Sequence, residues 1–375
     1  MRPSRVLVVD DEPGMLRAIE RILAPTHHVI TSLSSRAAPA LAAEFEPDLA
    51  ILDIRMPERD GFELMTQLKT LQPDLDVILM TGSLEDQDDK LVRAIRGRAF
   101  YFIQKPFDRE VLRTLVDRCL ELRWHRDEHR RHVQRLEAEL SDARAFQQGL
   151  LPAREATIGR LAVSCRHTPC TELGGDLYDY AVDADGRAAL LIADVAGHGT
   201  SAAMLTGIVK SAFRASHVDR YDPLSVVDRV WNGVAAFGAE RFITLVAAVI
   251  APEDGRLTYV NAGHPAGLVW NGGGVKRLDS TGPLVSSAFP SARWERLDEK
   301  FAEGDQLLLY TDGISEALAG DADVGEDRMR ATIAQHAQGG ASLLEAILAD
   351  VDRHRGAHPH RDDLTLVTAR VVAQA

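Results

Sequence analysis

The chain has 375 residues, of which 45% are hydrophobic and 26% charged, and a formal net charge of -13. That length exceeds one ordinary core and predicts two domains with a connector, while the apolar content excludes a disordered chain. The negative field, with no basic run to reverse it, argues against nucleic-acid binding. No apolar leader precedes the first strand and no stretch nears the roughly 18 apolar residues that span a bilayer, so no membrane partner is expected and a cytoplasmic location is. Cys119, Cys165 and Cys170 lack zinc-ligand spacing and read as packing residues of a reducing compartment.

From the N-terminus, short apolar runs at 6–9, 29–31, 49–52, 77–80 and 101–103 alternate with amphipathic segments. Five βα steps predict a doubly wound parallel sheet, whose active crevice lies at the carboxyl ends of its strands. Asp10, Asp11, Asp53, Thr81 and Lys105 all fall at those ends. Three carboxylates so placed need a hard divalent cation such as magnesium, Asp53 is then a nucleophile towards phosphorus, and Lys105 and the Thr81 hydroxyl can bind the transferred phosphoryl oxygens.

A helix is predicted over 108–150, with apolar residues at Leu115, Cys119, Leu122, Val133, Leu136, Leu140, Ala143 and Leu150, interrupted by Arg126, His129 and Gln147. The spacing fits a coiled-coil seam and hence a homodimer; a helix packed along its own domain stays open as the alternative. Beyond it, apolar runs at 242–250, 257–260, 307–310 and 364–371, with helices near 201–215, 223–237, 326–337 and 342–354, predict an α+β layered domain. Its acids sit in four motifs: Gly174-Gly175-Asp176-Leu177-Tyr178-Asp179, Ala193-Asp194-Val195-Ala196-Gly197-His198-Gly199, Thr311-Asp312-Gly313 and Arg361-Asp362-Asp363-Leu364-Thr365. Oxygen-only ligands at strand ends suggest a manganese or magnesium pair that activates water for attack on phosphorus. Asp312-Gly313 alone would be an ordinary turn. His198 and His264 are open between general acid and packing, and His354, His358 and His360 read as a solvated loop rather than a second metal cluster.

Residues 1–120 resemble the response-regulator receiver domains, of flavodoxin-like fold. The resemblance implies Asp10 and Asp11 as the acidic pair for one magnesium ion, Asp53 as phosphoacceptor, Thr81 as switch hydroxyl, Lys105 as the family lysine and Phe102 as switch aromatic. The Arg55 carbonyl would join the metal shell, and Met56, Pro57 and Gly61 fit the loop after Asp53. A sensor histidine kinase is implied upstream. Residues 108–150 are the helical linker, and 151–375 resemble the SpoIIE-like branch of the PPM metal-dependent serine/threonine phosphatases, a β-sandwich fold. By that resemblance Asp176, Asp194, Asp312 and Asp362 are metal ligands, Asp194 bridging two manganese or magnesium ions, with the Val195 carbonyl completing one shell and Asp363 as an alternative to Asp362. The stretch 145–152 and Asn261-Ala262-Gly263-His264-Pro265 also fit, whereas Gly282-Pro283-Leu284-Val285 departs by lacking a Gly after Leu284. The family implies a phosphorylated STAS-type anti-sigma-factor antagonist as substrate; a non-catalytic binding module gated by the receiver is the alternative.

Overall fold

A computed structural model describes residues 3–82, 101–197, 199–238, 240–319, 322–336, 340–356, 358 and 360–372. Two compact units divide between Leu136 and Glu137. In the first, strands β1 (Arg5–Val9), β2 (His28–Ser32), β3 (Leu49–Asp53), β4 (Asp76–Thr81) and β5 (Tyr101–Gln104) form a parallel sheet in the order β2-β1-β3-β4-β5. The central strands are apolar on both faces because both are covered. Leu7, Val9 and Leu52 pack beneath helices α2 (Ala38–Phe45) and α3 (Gly61–Leu71), while Val6, Val8 and Ile51 pack against α1 (Pro13–Leu23) and the start of the long helix. This is the doubly wound flavodoxin-like arrangement the alternating pattern predicted.

The long helix α4 covers Arg109–Leu150, 42 residues. Its first turns are not free for a second chain. Leu112, Val116, Cys119 and Leu120 are buried in the receiver core, with Leu115 packed alongside, so the N-terminal part of the predicted seam is occupied within its own domain. Leu122, Val133 and Leu136 are exposed further along.

The second unit is a sandwich of two six-stranded sheets with helices on both outer faces. One sheet runs β15 (Leu297–Lys300), β11 (Arg256–Ala262), β10 (Phe242–Ala251), β9 (Ala188–Val195), β8 (Asp176–Val182), with β14 (Val285–Ser286) paired to β10. The other runs β13 (Val275–Leu278), β12 (Gly267–Trp270), β16 (Gln306–Tyr310), β17 (Leu364–Val371), β7 (Leu161–Thr168), β6 (Glu155–Ile158). Alternation along the strands explains the layers: Leu190, Ile192, Val246 and Ala248 point between the sheets with Leu307, Leu309 and Val367, whereas Leu191, Leu245 and Ala247 face outward. Helices α5 (Thr200–Ala215) and α6 (Pro223–Val234) cover that outer face; α7 (Asp312–Ala319), α8 (Ala322–Gln335) and α9 (Ala341–Arg355) cover the other sheet. Asp312-Gly313, readable alone as a turn, instead starts α7. The last position of the helix predicted over 326–337 lies outside the described residues.

Candidate active sites

The carboxyl ends of β1, β3, β4 and β5 bring the receiver residues together. Carboxylate oxygens of Asp10, Asp11 and Asp53 lie within 4.8 Å of one another. Lys105 Nζ bridges them, 2.7 Å from Asp10 Oδ2 and 2.8 Å from Asp53 Oδ1. Burial raises the Asp53 carboxyl, which the bonds from Lys105 offset only in part; Lys105 itself is raised because its contacts with Asp10 and Asp53 outweigh its burial. The Arg55 amide donates to Asp53 Oδ2 at 3.1 Å. Thr81 is buried at the end of β4, and its carbonyl accepts from the Lys105 amide at 2.6 Å. Phe102 on β5 is half-buried against the core beside α3. Gly61 begins α3 because a Cβ there would stand 2.3 Å from the Asp53 carbonyl oxygen, so only glycine lets the helix approach the phosphoacceptor strand this closely.

In the second unit Asp176 and Asp194 are direct cross-strand partners on β8 and β9. Asp312 enters from the start of α7, at the end of β16, and Asp362-Asp363 immediately precede β17. Asp176 is 3% exposed, and two threonine hydroxyls converge on its Oδ2: Thr311 at 2.7 Å and Thr365 at 2.5 Å. Burial first, and then Asp194, hold the Asp176 carboxyl well above the usual carboxylate range. Asp194 is pushed up to about 7 by burial, then by Asp312, Asp362 and Asp363; Asp312 is raised by burial, Asp362 and Glu316. Buried and half-buried carboxyls raised by neighbouring acids disfavour a shared negative charge, and their oxygen-only donors are of the kind that fits a hard divalent ion.

Asp362 and Asp363 are adjacent but differently employed. Asp363 is 3% exposed and saturated by main chain: Oδ1 accepts from Cys170 N at 2.8 Å, and Oδ2 from Gly175 N at 2.7 Å and Asp176 N at 3.3 Å. Asp362 is exposed, and its Oδ1 accepts the Asp363 amide at 2.8 Å. Cys170 groups with this pair closely enough to share an ion. The glycines around Asp363 and Val195 are there for contact distance. A Cβ on Gly174 would lie 2.3 Å from Asp363 Oδ2, one on Gly313 2.2 Å from the Asp363 carbonyl, and one on Gly175 2.4 Å from the Val195 carbonyl.

His198 lies outside the described residues. His264 is 4% exposed, its Nδ1 is 2.7 Å from Thr244 Oγ1, and burial pushes it down to about 3. Thr244 pairs with Asp194 across β10 and β9, so His264 bonds to the strand next to the one that carries Asp194, and burial disfavours its charged form. His354, His358 and His360 line a cavity beside Asp362 and form no metal-ligating group among the described residues.

The contacts of three residues at the site escape sequence reasoning. His167 Nδ1 lies 3.0 Å from Thr365 Oγ1, placing it behind the Asp176 threonines. Asp179, buried on β8, pairs with Lys210 Nζ at 2.8 Å and Arg214 Nε at 2.7 Å, tying α5 to the strand that carries Asp176. Gln147, which reads as a polar break in the seam, clamps Gly174: its Nε2 donates to the Gly174 carbonyl at 2.7 Å and its Oε1 accepts the Gly174 amide at 3.2 Å. The one local signal was the i, i+4 pair of cations at Lys210 and Arg214; the other contacts join residues far apart in sequence.

Residues 184–372, about half the chain, match the family model of stage II sporulation protein E (SpoIIE), and residues 6–117 match that of the response regulator receiver domain. The chain is 27% identical over 259 residues to protein IcfG of Synechocystis sp., covering 61% of this chain and 41% of that one. It is 28% identical over 233 residues to the phosphoserine phosphatase RsbP of Bacillus subtilis, covering 60% of this chain and 56% of RsbP. The chain thus spans between about two-fifths and just over half of these relatives. The solved SiaA PP2C domain of Pseudomonas aeruginosa superposes with a TM-score of 0.56 at 22% identity, over 64% of this chain and 98% of that domain, which establishes the fold of the second unit.

Proposed function

The chain belongs to the SpoIIE family and carries a response regulator receiver domain ahead of its SpoIIE region, and from that premise we propose a phosphorylation-gated protein serine/threonine phosphatase. The observation that carries this is the placing of Asp176, Asp194 and Asp312, three carboxyls raised first by burial and then by neighbouring acids, with Asp362 at the ends of four different elements. Asp176, Asp194, Asp312 and Asp362 would hold two manganese or magnesium ions, with the Val195 carbonyl as a further oxygen. When bound, such a pair supplies an activated water and charge neutralisation for displacement at phosphorus. The protein's own contribution is positional. Thr311 and Thr365 hold Asp176, and Asp363 pins the Gly175-Asp176 backbone, a role the geometry favours over direct ligation.

In the receiver, Asp53 accepts the phosphoryl group from a sensor histidine kinase. Asp10, Asp11 and Asp53, with the Arg55 carbonyl, would hold one magnesium ion that neutralises charge at the phosphoryl group, Lys105 would bind the phosphoryl oxygens, and Thr81 and Phe102 would register the change. RsbP is a phosphoserine phosphatase by name, and the substrate proposed for this chain is a phosphorylated STAS-type anti-sigma-factor antagonist. The test is direct: purified protein with manganese is incubated with serine-phosphorylated STAS-type proteins and released phosphate is measured. Turnover abolished by chelator and restored by manganese is the expected result; no turnover on any phosphoserine protein with metal present overturns the reading.

A further inference from the structure

The geometry points to a docking pocket for an acidic side chain of the phosphoprotein substrate, formed where the end of α9 and the segment before β17 meet α7. This inference rests on the phosphatase reading and adds a substrate feature to it. A cavity of about 290 Å³ opens there, with Asp362 in its wall and Glu316, Arg355, His360 and Arg361 around it. It shares Asp362 with the proposed metal site, whereas Asp176, Asp194 and Asp312 do not line it. The last turn of α9 carries Arg353, His354 and Arg355. One face of Arg355 is committed: Nη2 is 2.7 Å from Asp352 Oδ1 and Nη1 donates to the His358 carbonyl at 2.9 Å. Its Nε and the Nδ1 of His360 are buried without a hydrogen-bond partner among the described residues. Arg361 is exposed and makes no salt bridge among the described residues.

Buried nitrogens without acceptors are costly, and an arginine without a counter-ion beside them supplies the charge that an acceptor should carry. A carboxylate entering the cavity meets the uncommitted Arg361 guanidinium in the same lining as Arg355 and His360. The other charges around the cavity are largely committed, Asp362 to metal and Asp352 to Arg355, which leaves Glu316 and Arg361 as the charges open to a ligand. A phosphoserine at the metal centre would place a neighbouring side chain of the same substrate at this cavity. Acidic flanks would thereby bind through KM, with the phosphate chemistry unchanged.

The experiment uses the full chain with manganese and three phosphoserine peptides identical except for Glu, Gln or Lys at the positions flanking the phosphoserine. The Glu peptide is expected to exceed the Gln peptide in kcat/KM by about two- to fivefold, the range of a solvent-accessible ion pair, and to do so in KM. Arg361→Glu removes or inverts the ratio, and Arg361→Lys retains part of it. Equal kcat/KM for all three peptides, a preference for the Lys peptide, or an undiminished Glu preference in Arg361→Glu would overturn the pocket while leaving the phosphatase reading intact. No turnover of any peptide or of a small aryl phosphate would instead overturn the phosphatase reading, and the pocket with it.

Discussion

Asp194 carries more of the site than any single neighbour, since it pairs with Asp176 across the strands and is coupled to Asp312, Asp362 and Asp363. Replacing it by Asn keeps the shape and removes the charge a bridging ligand needs, so Asp194→Asn should lower turnover by at least about a thousandfold, as loss of a group central to charge stabilisation does. Circular dichroism should stay unchanged. Wild-type turnover at saturating manganese would remove Asp194 from the mechanism. His264 gives a different kind of prediction. Its folded value near 3 lies below the ordinary 6.5, so the folded state binds this proton less readily than the unfolded chain. The contribution is present in full above about pH 6.5 and is lost as pH falls towards 3, amounting to about 2 kcal/mol by pH 5. His264→Gln should therefore lose less stability than wild type between pH 7 and pH 5 in denaturant melts, and parallel curves would refute the assignment. At Gly175, the alanine Cβ would meet the Val195 carbonyl at 2.4 Å, and that strand pair cannot part without moving Asp176 and Asp194. Gly175→Ala should cost about 1–3 kcal/mol in thermal unfolding and weaken manganese binding.

Helix α4 shows how an element can carry two signals at once. Its apolar spacing reads as one seam, yet Leu112, Val116, Cys119 and Leu120 belong to the receiver core, and beyond them Arg126 Nη2 reaches Asp76 at 2.9 Å and Arg130 Nη1 reaches Asp74 at 2.7 Å. Of the seam positions, Leu122, Val133 and Leu136 are exposed, and the stretch from Val133 through Leu136 to Leu140 is the longest left for a second copy among the described residues. Leu136→Asp with Leu140→Asp should then convert a dimer to a monomer in light scattering, since two carboxylates would have to be buried unpaired. A monomeric wild type at concentrations well above those of the assay would refute the seam. The same helix explains what was legible in the sequence. The central receiver strands β1, β3 and β4 could be read to within a residue or two because both faces are buried and each appears as a continuous apolar run between polar punctuation. Short edge strands such as β13 and β15 lack that run, with exposed or half-exposed Lys276, Arg277 and Glu299, and went unread. At the sites, the acids were visible because Gly and apolar strands frame them. The division of labour between Asp362 and Asp363 was not, because it depends on amides of Cys170 and Gly175 nearly two hundred residues away.

At the scale of the whole molecule, the receiver and the SpoIIE region each supply a chemistry, and a single helix belongs to both. Its beginning, at Leu112 and Val116, packs in the receiver core; its end, at Gln147, holds the backbone of Gly174, one residue from the amide that Asp363 binds and two from Asp176. A change in how the helix is held at its beginning should therefore shift the backbone next to Asp176, the proposed metal-ligand position, at its end. Phosphorylation of Asp53 would bring charge to a crevice where Lys105 now bridges Asp10 and Asp53, and Thr81 and Phe102 lie on the two strands next to it. If that shift is transmitted, the phosphatase rate should change by about 5- to 150-fold, the span of an allosteric coupling of about 1–3 kcal/mol. Activation is the expected sign. Rates are to be measured with and without beryllofluoride, in wild type and in Asp53→Ala, and again in Gln147→Ala. The analogue should act on wild type alone, and Gln147→Ala should blunt its effect while still binding it. Equal rates in wild type with and without analogue, with binding verified, would mean that the two domains share a chain but no free energy of coupling.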